Sequence, residues 1–317
     1  MKLIDIYRTA IKKGIGKDPR TLKEIRGEFA SARREFKKAS GADKAAFDKE
    51  RFTNPYADTR ILYGDPDKDI RTVMVGIDME APEILAADRL IEKGFPVDLV
   101  MAHHPEGAAW AKFYDVMKLQ VAMLAKCGIP KHIGEILLKD RMGEVERAVA
   151  PANHLRSVDI ARLLGVAYMC IHTPADNHVA SYLQGLFDTK KPEKLSGVLA
   201  MLKAIPEYAD GLKKNSGPKI LIGSPDKKAG RIFVDMTGGT EGPKKIFPRL
   251  SQAGIGTIVA MHLSEEHFKS AKDEHLNVVI AGHIASDSLG LNLLLDAVEK
   301  SGPLNVIPAS GFVRIKR

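Results

Sequence analysis

Two adjacent histidines, His103 and His104, close the apolar run DLVMAHHP, and two later runs end in the same way. YMCIHTPAD closes on His172 with Asp176 four residues on, and NVVIAGHIASD closes on His283 with Asp287 four residues on. Imidazole and carboxylate together are what divalent transition metals bind. Neighbouring side chains on a strand point to opposite faces, so His103 and His104 can serve one point only where the strand ends. Pro105 ends it there. The plain alternative is two unrelated histidines, one buried and one solvated. For Asp176 and Asp287 it is a helix cap or dipole partner, since each follows a strand and opens a helical pattern. His262 also sits at a strand end, in TIVAMHLSEEH, and on position alone lines the same cleft.

Three or four such ligands hold one catalytic metal. Five, with a carboxylate free to bridge, suit two ions that lower the pKa of a shared water and polarise a scissile bond. Other chemistries have less support. The Gly-rich DMTGGTEG (235–242) matches neither a P-loop nor G-x-G-x-x-G and reads as a tight turn near the cleft. No G-x-S-x-G elbow occurs, and neither Cys127 nor Cys170 lies in a reactive motif.

The elements that must position these residues alternate. TVMVGIDM, DLVMAHH, AYMCIHT, TIVAMH and NVVIAGH read as strands separated by helical patterns, which argues for an α/β fold with largely parallel pairing. In an open α/β sheet the carboxyl ends of the strands are where ligands bind. Before Arg71 the pattern is helical: Leu3, Ile4, Tyr7, Ala10 and Ile11 share one face, and Leu22, Ile25, Phe29, Ala32 and Phe36 another. Thr21 and Glu24 form a candidate capping box. KILIG and RIFVDM, joined by SPDKKAG, suggest a hairpin, and VIPASGFVRI supplies one or two closing strands. The expected division is a helical extension packed on the body at 1–65, an α/β lobe at 66–190, a helical connector at 191–217 and a second α/β lobe at 218–317.

Charge and composition narrow the function. The chain carries a net +8, but residues 1–51 hold 15 Lys/Arg against 8 Asp/Glu, leaving 33 against 32 beyond them. The basic character therefore belongs to the first helices, where it alternates with acid as a solvated face does. With one Trp and 6% aromatics, a stacking platform for nucleic acid is not expected. Two isolated cysteines, no long apolar run and an Asp5-bearing start without a signal-like core point to a cytoplasmic protein that spans no membrane.

With these motifs in this order, the chain resembles the NIF-three-like proteins (NGG-interacting factor three, also called GTP cyclohydrolase type I type two homologues). DLVMAHHP is similar to their Asp-hydrophobic-His-His-Pro strand, IHTPAD to their His-Thr-x-x-Asp segment, and AGHIASD to their Gly-His-x-x-Ser-Glu. The likeness covers about residues 71–315. It implies a two-lobed α/β fold of mixed or parallel sheets flanked by helices, with a metal site in the interlobe cleft and a toroidal homo-hexamer. It also implies ligands His103, His104, Asp176, His283 and Asp287 for two divalent ions of zinc, manganese, iron, nickel or cobalt. His172 is then a residue that supports the ligands from behind or transfers protons, and His262 a second proton-transfer candidate, in a hydrolase of a small, nucleotide-like substrate. A non-catalytic metal-binding scaffold using the basic first helices is the alternative. The chain departs from the pattern in carrying Asp287 where the family has glutamate. The 72-residue gap from His104 to Asp176 is long and implies inserted helices around 111–150.

Overall fold

A computed structural model describes residues 1–317. Nine strands form two sheets: β1 (Arg60–Tyr63), β2 (Thr72–Gly76), β3 (Leu99–Ala102), β4 (Tyr168–Cys170), β5 (Lys219–Ile222), β6 (Arg231–Asp235), β7 (Ile255–Ala260), β8 (Asn277–Ile280) and β9 (Asn305–Pro308). The first sheet has the order β1-β4-β3-β2-β9 and the second β5-β8-β7-β6. Within the first, β9, β2, β3 and β4 run parallel and β1 antiparallel; within the second, β6, β7 and β8 run parallel and β5 antiparallel.

Strands that read as continuous apolar runs are buried on both faces, as parallel sheets must be. Val73, Val75, Leu99, Met101 and Met169 turn one face of the first sheet into a 38-residue core cluster. Met74, Val100, Ala102, Tyr168 and Cys170 turn the other face toward the helices Ala81–Glu92 and Arg156–Leu164. From the second sheet, Ile258, Val278 and Ile280 enter the same 38-residue cluster, so the two sheets share one core. Burying these side chains contributes about 1.5–3 kcal/mol each before conformational entropy is set against it.

The helices Thr173–Lys190 and His283–Glu299 pack on each other. Their approach is close: a Cβ on Gly290 would stand 2.5 Å from the carbonyl oxygen of Ala175. The helix Leu3–Ile15 packs on both. Its apolar face is in the central core, with Leu3, Ile6 and Ala10 fully buried, so this part of the first segment is integral to the body. The capping box of Thr21 and Glu24 is formed.

The hairpin expected from KILIG and RIFVDM does not form. β5 pairs with β8, while β6 lies at the opposite edge. The intervening 223–230 crosses three strand spacings, about 14 Å, which eight residues span easily. Edge strand β6 is protected by Gln184, whose amide donates to Ile232 O at 3.1 Å and accepts from Val234 N at 3.0 Å. VIPASGFVRI yields one strand, β9, and it pairs with β2 of the first sheet rather than with the second. The helices expected around 111–150 are present as Leu119–Cys127 and Lys131–Val149, preceded by short helical turns at 107–118.

Candidate metal centre

Strand register decides which side chains meet. Ala102 of β3 pairs with Cys170 of β4, so both strands end at one level and release His103 and His172 side by side, with ring centroids 4.8 Å apart. Ala260 of β7 pairs with Ile280 of β8, and the turns that follow place the rings of His262 and His283 5.0 Å apart. The carboxyl ends of the two sheets converge, and His104 meets His283 across the gap at 5.3 Å. His104 can join His103 because the chain turns there: both backbone amides donate to Ile77 O.

The two carboxylates enter from the crossing helices. Asp176 lies in the first turn of Thr173–Lys190, and Asp287 one turn into His283–Glu299. Neither is the N-cap residue of its helix, a place taken by His172 and Gly282. Gly282 (φ 107°) makes the tight entry to the second helix, and a Cβ there would lie 2.4 Å from Ser216 O. Asp287 is 1% exposed. Its Oδ1 stands 3.5 Å from His103 Nε2, and its Oδ2 3.5 Å from both His104 Nε2 and His283 Nε2. Asp176 Oδ1 is 3.4 Å from His103 Nε2, and its Oδ2 3.7 Å from His172 Nε2. All five residues expected as ligands are therefore brought together, in the overlapping groups His103/Asp176/Asp287 and His104/His283/Asp287. A third group joins His103, His104 and His172.

The donor set fits a cation. His103 Nε2 and both Asp287 oxygens are buried with no hydrogen-bond partner. Charge-assisted hydrogen bonds close to about 2.7–2.9 Å, and the contacts here do not. Two ligands about 2.1 Å from one ion at tetrahedral angles would stand about 3.4 Å apart, which is the spacing found. The electrostatics agree. Burial alone disfavours a charged His103, but Asp287 and Asp176 outweigh it and carry its pKa up to about 10. His104 is likewise desolvated, yet Asp287 and Asp78 raise it to about 9. Burial opposes the charge of Asp287 too, and His103 and His104 hold it well below the carboxylate range. His283 faces fewer carboxylates, and desolvation lowers it. The pocket calls for positive charge, and protons supply it where no ion does.

Several residues at this site were not singled out from the sequence. Asp78 accepts from His104 Nδ1 at 2.6 Å. It follows β2 and could have been found by the strand-end logic applied to the histidines. Asp58 is fully buried and accepts from His172 Nδ1 at 2.8 Å and Thr173 Oγ1 at 2.6 Å. Glu241 accepts from Ser264 N at 2.6 Å and lies 3.5 Å from His262 Nδ1. Burial works against its charge, but His262 and Ser264 draw its pKa down to about 2. It ties the turn after β6 to the loop carrying His262. That turn is held from the other side by Gln120, which donates to Gly238 O and Thr240 O. The expected tight turn at 235–242 does line the site. Beside His104 and His283 a cleft of about 440 Å³ opens between Trp110, Phe113, Asn153 and Arg156.

No protein-family model matches the chain, and no curated protein matches it. Among solved structures it is similar to a NIF3 superfamily protein from Sphaerobacter thermophilus, with a TM-score of 0.70 and 24% identity over 90% of this chain and 98% of that one. Others are HcgD from Methanocaldococcus jannaschii (TM-score 0.44, 15% identity, 78% of this chain and 87% of that one) and a Bacillus cereus protein related to NIF3 (0.41, 14%, 90% and 96%). The chain has a NIF3-like fold, and its buried His/Asp groups could hold a metal ion. No helix is long and apolar enough to cross a membrane.

Proposed function

We propose that the protein is a divalent-metal-dependent hydrolase with a dinuclear centre, acting on a small substrate in the cleft between the sheets. The observation that carries this reading is the division of Asp287. One oxygen faces His103 beside Asp176 and the other faces His104 and His283, so that this carboxylate could serve an ion on either side. When bound, divalent ions there supply water activation at neutral pH and polarisation of the scissile bond.

The chain's own residues do the rest. Burial of His103, Asp176 and Asp287 keeps bulk water from competing for the ligand atoms. Asp78 fixes the ring of His104 so that Nε2 faces the centre. His262, half exposed and with Nδ1 3.5 Å from Glu241, offers a proton path between the cleft and solvent. Trp110, Phe113 and Arg156 suit a planar, anionic substrate such as a nucleotide.

The test is a panel of phosphoesters, amides and cyclic amidines assayed with chelator-stripped protein and with added divalent metals. Metal-restored turnover that disappears in Asp176→Asn, with the fold retained by circular dichroism, is expected. A scaffold would show no metal-restored turnover. It would instead lose its partner when the basic residues of 17–38 are neutralised.

A further inference from the structure

His172 stands apart from the five ligands, yet it is held as a metal-binding histidine is held. An imidazole that binds a metal through one ring nitrogen almost always donates the other N–H to a carboxylate or carbonyl, which fixes its tautomer and aim. Three rings in this cavity satisfy that condition. His103 Nδ1 lies 3.2 Å from Ile171 O, His104 Nδ1 2.6 Å from Asp78, and His172 Nδ1 2.8 Å from Asp58. In each case Nε2 is the atom left free, and each of the three rings offers a nitrogen within 4.8 Å of the other two.

The anchor of His172 is the most elaborate of the three. Asp58 is fully buried and shares Oδ2 between His172 Nδ1, Thr173 Oγ1 at 2.6 Å and Thr173 N at 3.3 Å. With one carboxylate oxygen gathering three donors, the ring can neither flip nor present Nδ1 to the cavity. His172 itself is 6% exposed, and its Nε2 has only Asp176 Oδ2, at 3.7 Å, opposite it. A proton carrier needs a ring nitrogen open to solvent or substrate; His172 lines the cleft, but Asp58 holds its Nδ1 and its Nε2 is turned toward Asp176. His262, with a side chain 52% exposed, meets that need.

We infer that His172 is a further metal ligand, with Asp58 as the residue that positions it, so that the centre takes an additional imidazole on the side of His103 and Asp176. This rests on the metal reading of the site. It makes the ligand set richer in nitrogen than the three strand-end motifs alone imply. A nitrogen-rich set favours borderline metals such as zinc, cobalt, nickel or iron(II) over magnesium or calcium. It also makes residues 1–65 part of the centre through Asp58.

The test is titration of cobalt(II) into metal-free protein, followed by its d–d absorption, with bound cobalt counted after gel filtration. His172→Ala is expected to weaken cobalt binding by at least about 10-fold and to change the visible spectrum, because that spectrum reports ligand number and type. Asp58→Asn keeps the ring but replaces its charged anchor with a neutral amide that offers one acceptor oxygen in place of two; it is expected to weaken cobalt by about 10–100-fold. Wild-type affinity and spectrum in folded His172→Ala would overturn the assignment. If that variant does not fold, unchanged cobalt binding in Asp58→Asn overturns it instead. Failure of the wild-type protein to bind cobalt at all would overturn the metal reading itself, an outcome distinct from both.

Discussion

Replacing Asp287 by asparagine in metal-free protein should have an effect whose sign depends on pH. Below about pH 9 the carboxylate faces two protonated rings, His103 and His104, each 3.5 Å away. A unit pair at that distance and an effective dielectric of 20 is worth about 5 kcal/mol. The net loss is smaller, because desolvating the carboxylate itself costs several kcal/mol and the rings can discharge once it is gone. A loss of about 3 kcal/mol near pH 6 is expected, at the low end for breaking a buried pair. The folded-state pKa values of His103 and His104 are raised from 6.5 to about 10 and about 9. Their contribution is therefore complete below about pH 6.5 and is lost as pH rises through 9 to 10. At pH 10 the wild-type protein keeps a buried carboxylate with little positive charge beside it, and the variant should equal or exceed it in stability. The assay is the urea midpoint of both proteins at pH 6, 8 and 10 in the presence of chelator. A stability difference that stays constant with pH, or a variant more stable than wild type at pH 6, would refute this account of the cluster.

Other outcomes follow from the same geometry. Metal must displace the protons of His103 and His104, so affinity should rise steeply from pH 6 to about 9, with proton release at pH 7; calorimetry in buffers of different ionisation enthalpy measures it, and buffer-independent heats would contradict it. Gly290→Ala should cost about 1–3 kcal/mol and weaken metal binding, because its Cβ would push the Asp287 helix off Ala175 O beside Asp176; urea unfolding and a cobalt titration read the two effects. Gln184→Ala removes both hydrogen bonds that blunt β6 and should cost about 1–3 kcal/mol, with light scattering showing faster aggregation through the uncovered edge.

The histidines were legible because each closes an apolar run, at Pro105 for His103 and His104 and after Gly282 for His283, and strand ends in parallel sheets share one edge. Asp176 and Asp287 were legible by their place one helical turn beyond those histidines, although a capping role was equally open to either. What spacing could not show is that they point at each other, which depends on two helices crossing at Gly290. Asp58 was out of reach for a different reason. It precedes its strand, and only because β1 runs antiparallel to β4, with Arg60 opposite Cys170, does the start of β1 lie at the edge that carries the histidines. The rejected hairpin is the same lesson reversed: the turn residues between β5 and β6 are right for a tight loop, but the apolar edge of β8 holds β5 instead. Likewise the amphipathic face of Leu3–Ile15 marks it as a packed helix without saying that its partners are the two crossing helices.

The central claim is that the orphaned ligand atoms of His103 and Asp287 belong to bound divalent cations. Elemental analysis of protein purified without chelators, wild type beside His104→Ala, tests it most directly. About two ions per chain falling to one or none is the result predicted. A wild-type chain that emerges free of metal and takes up none on dialysis against zinc, manganese, iron(II), nickel or cobalt would contradict it.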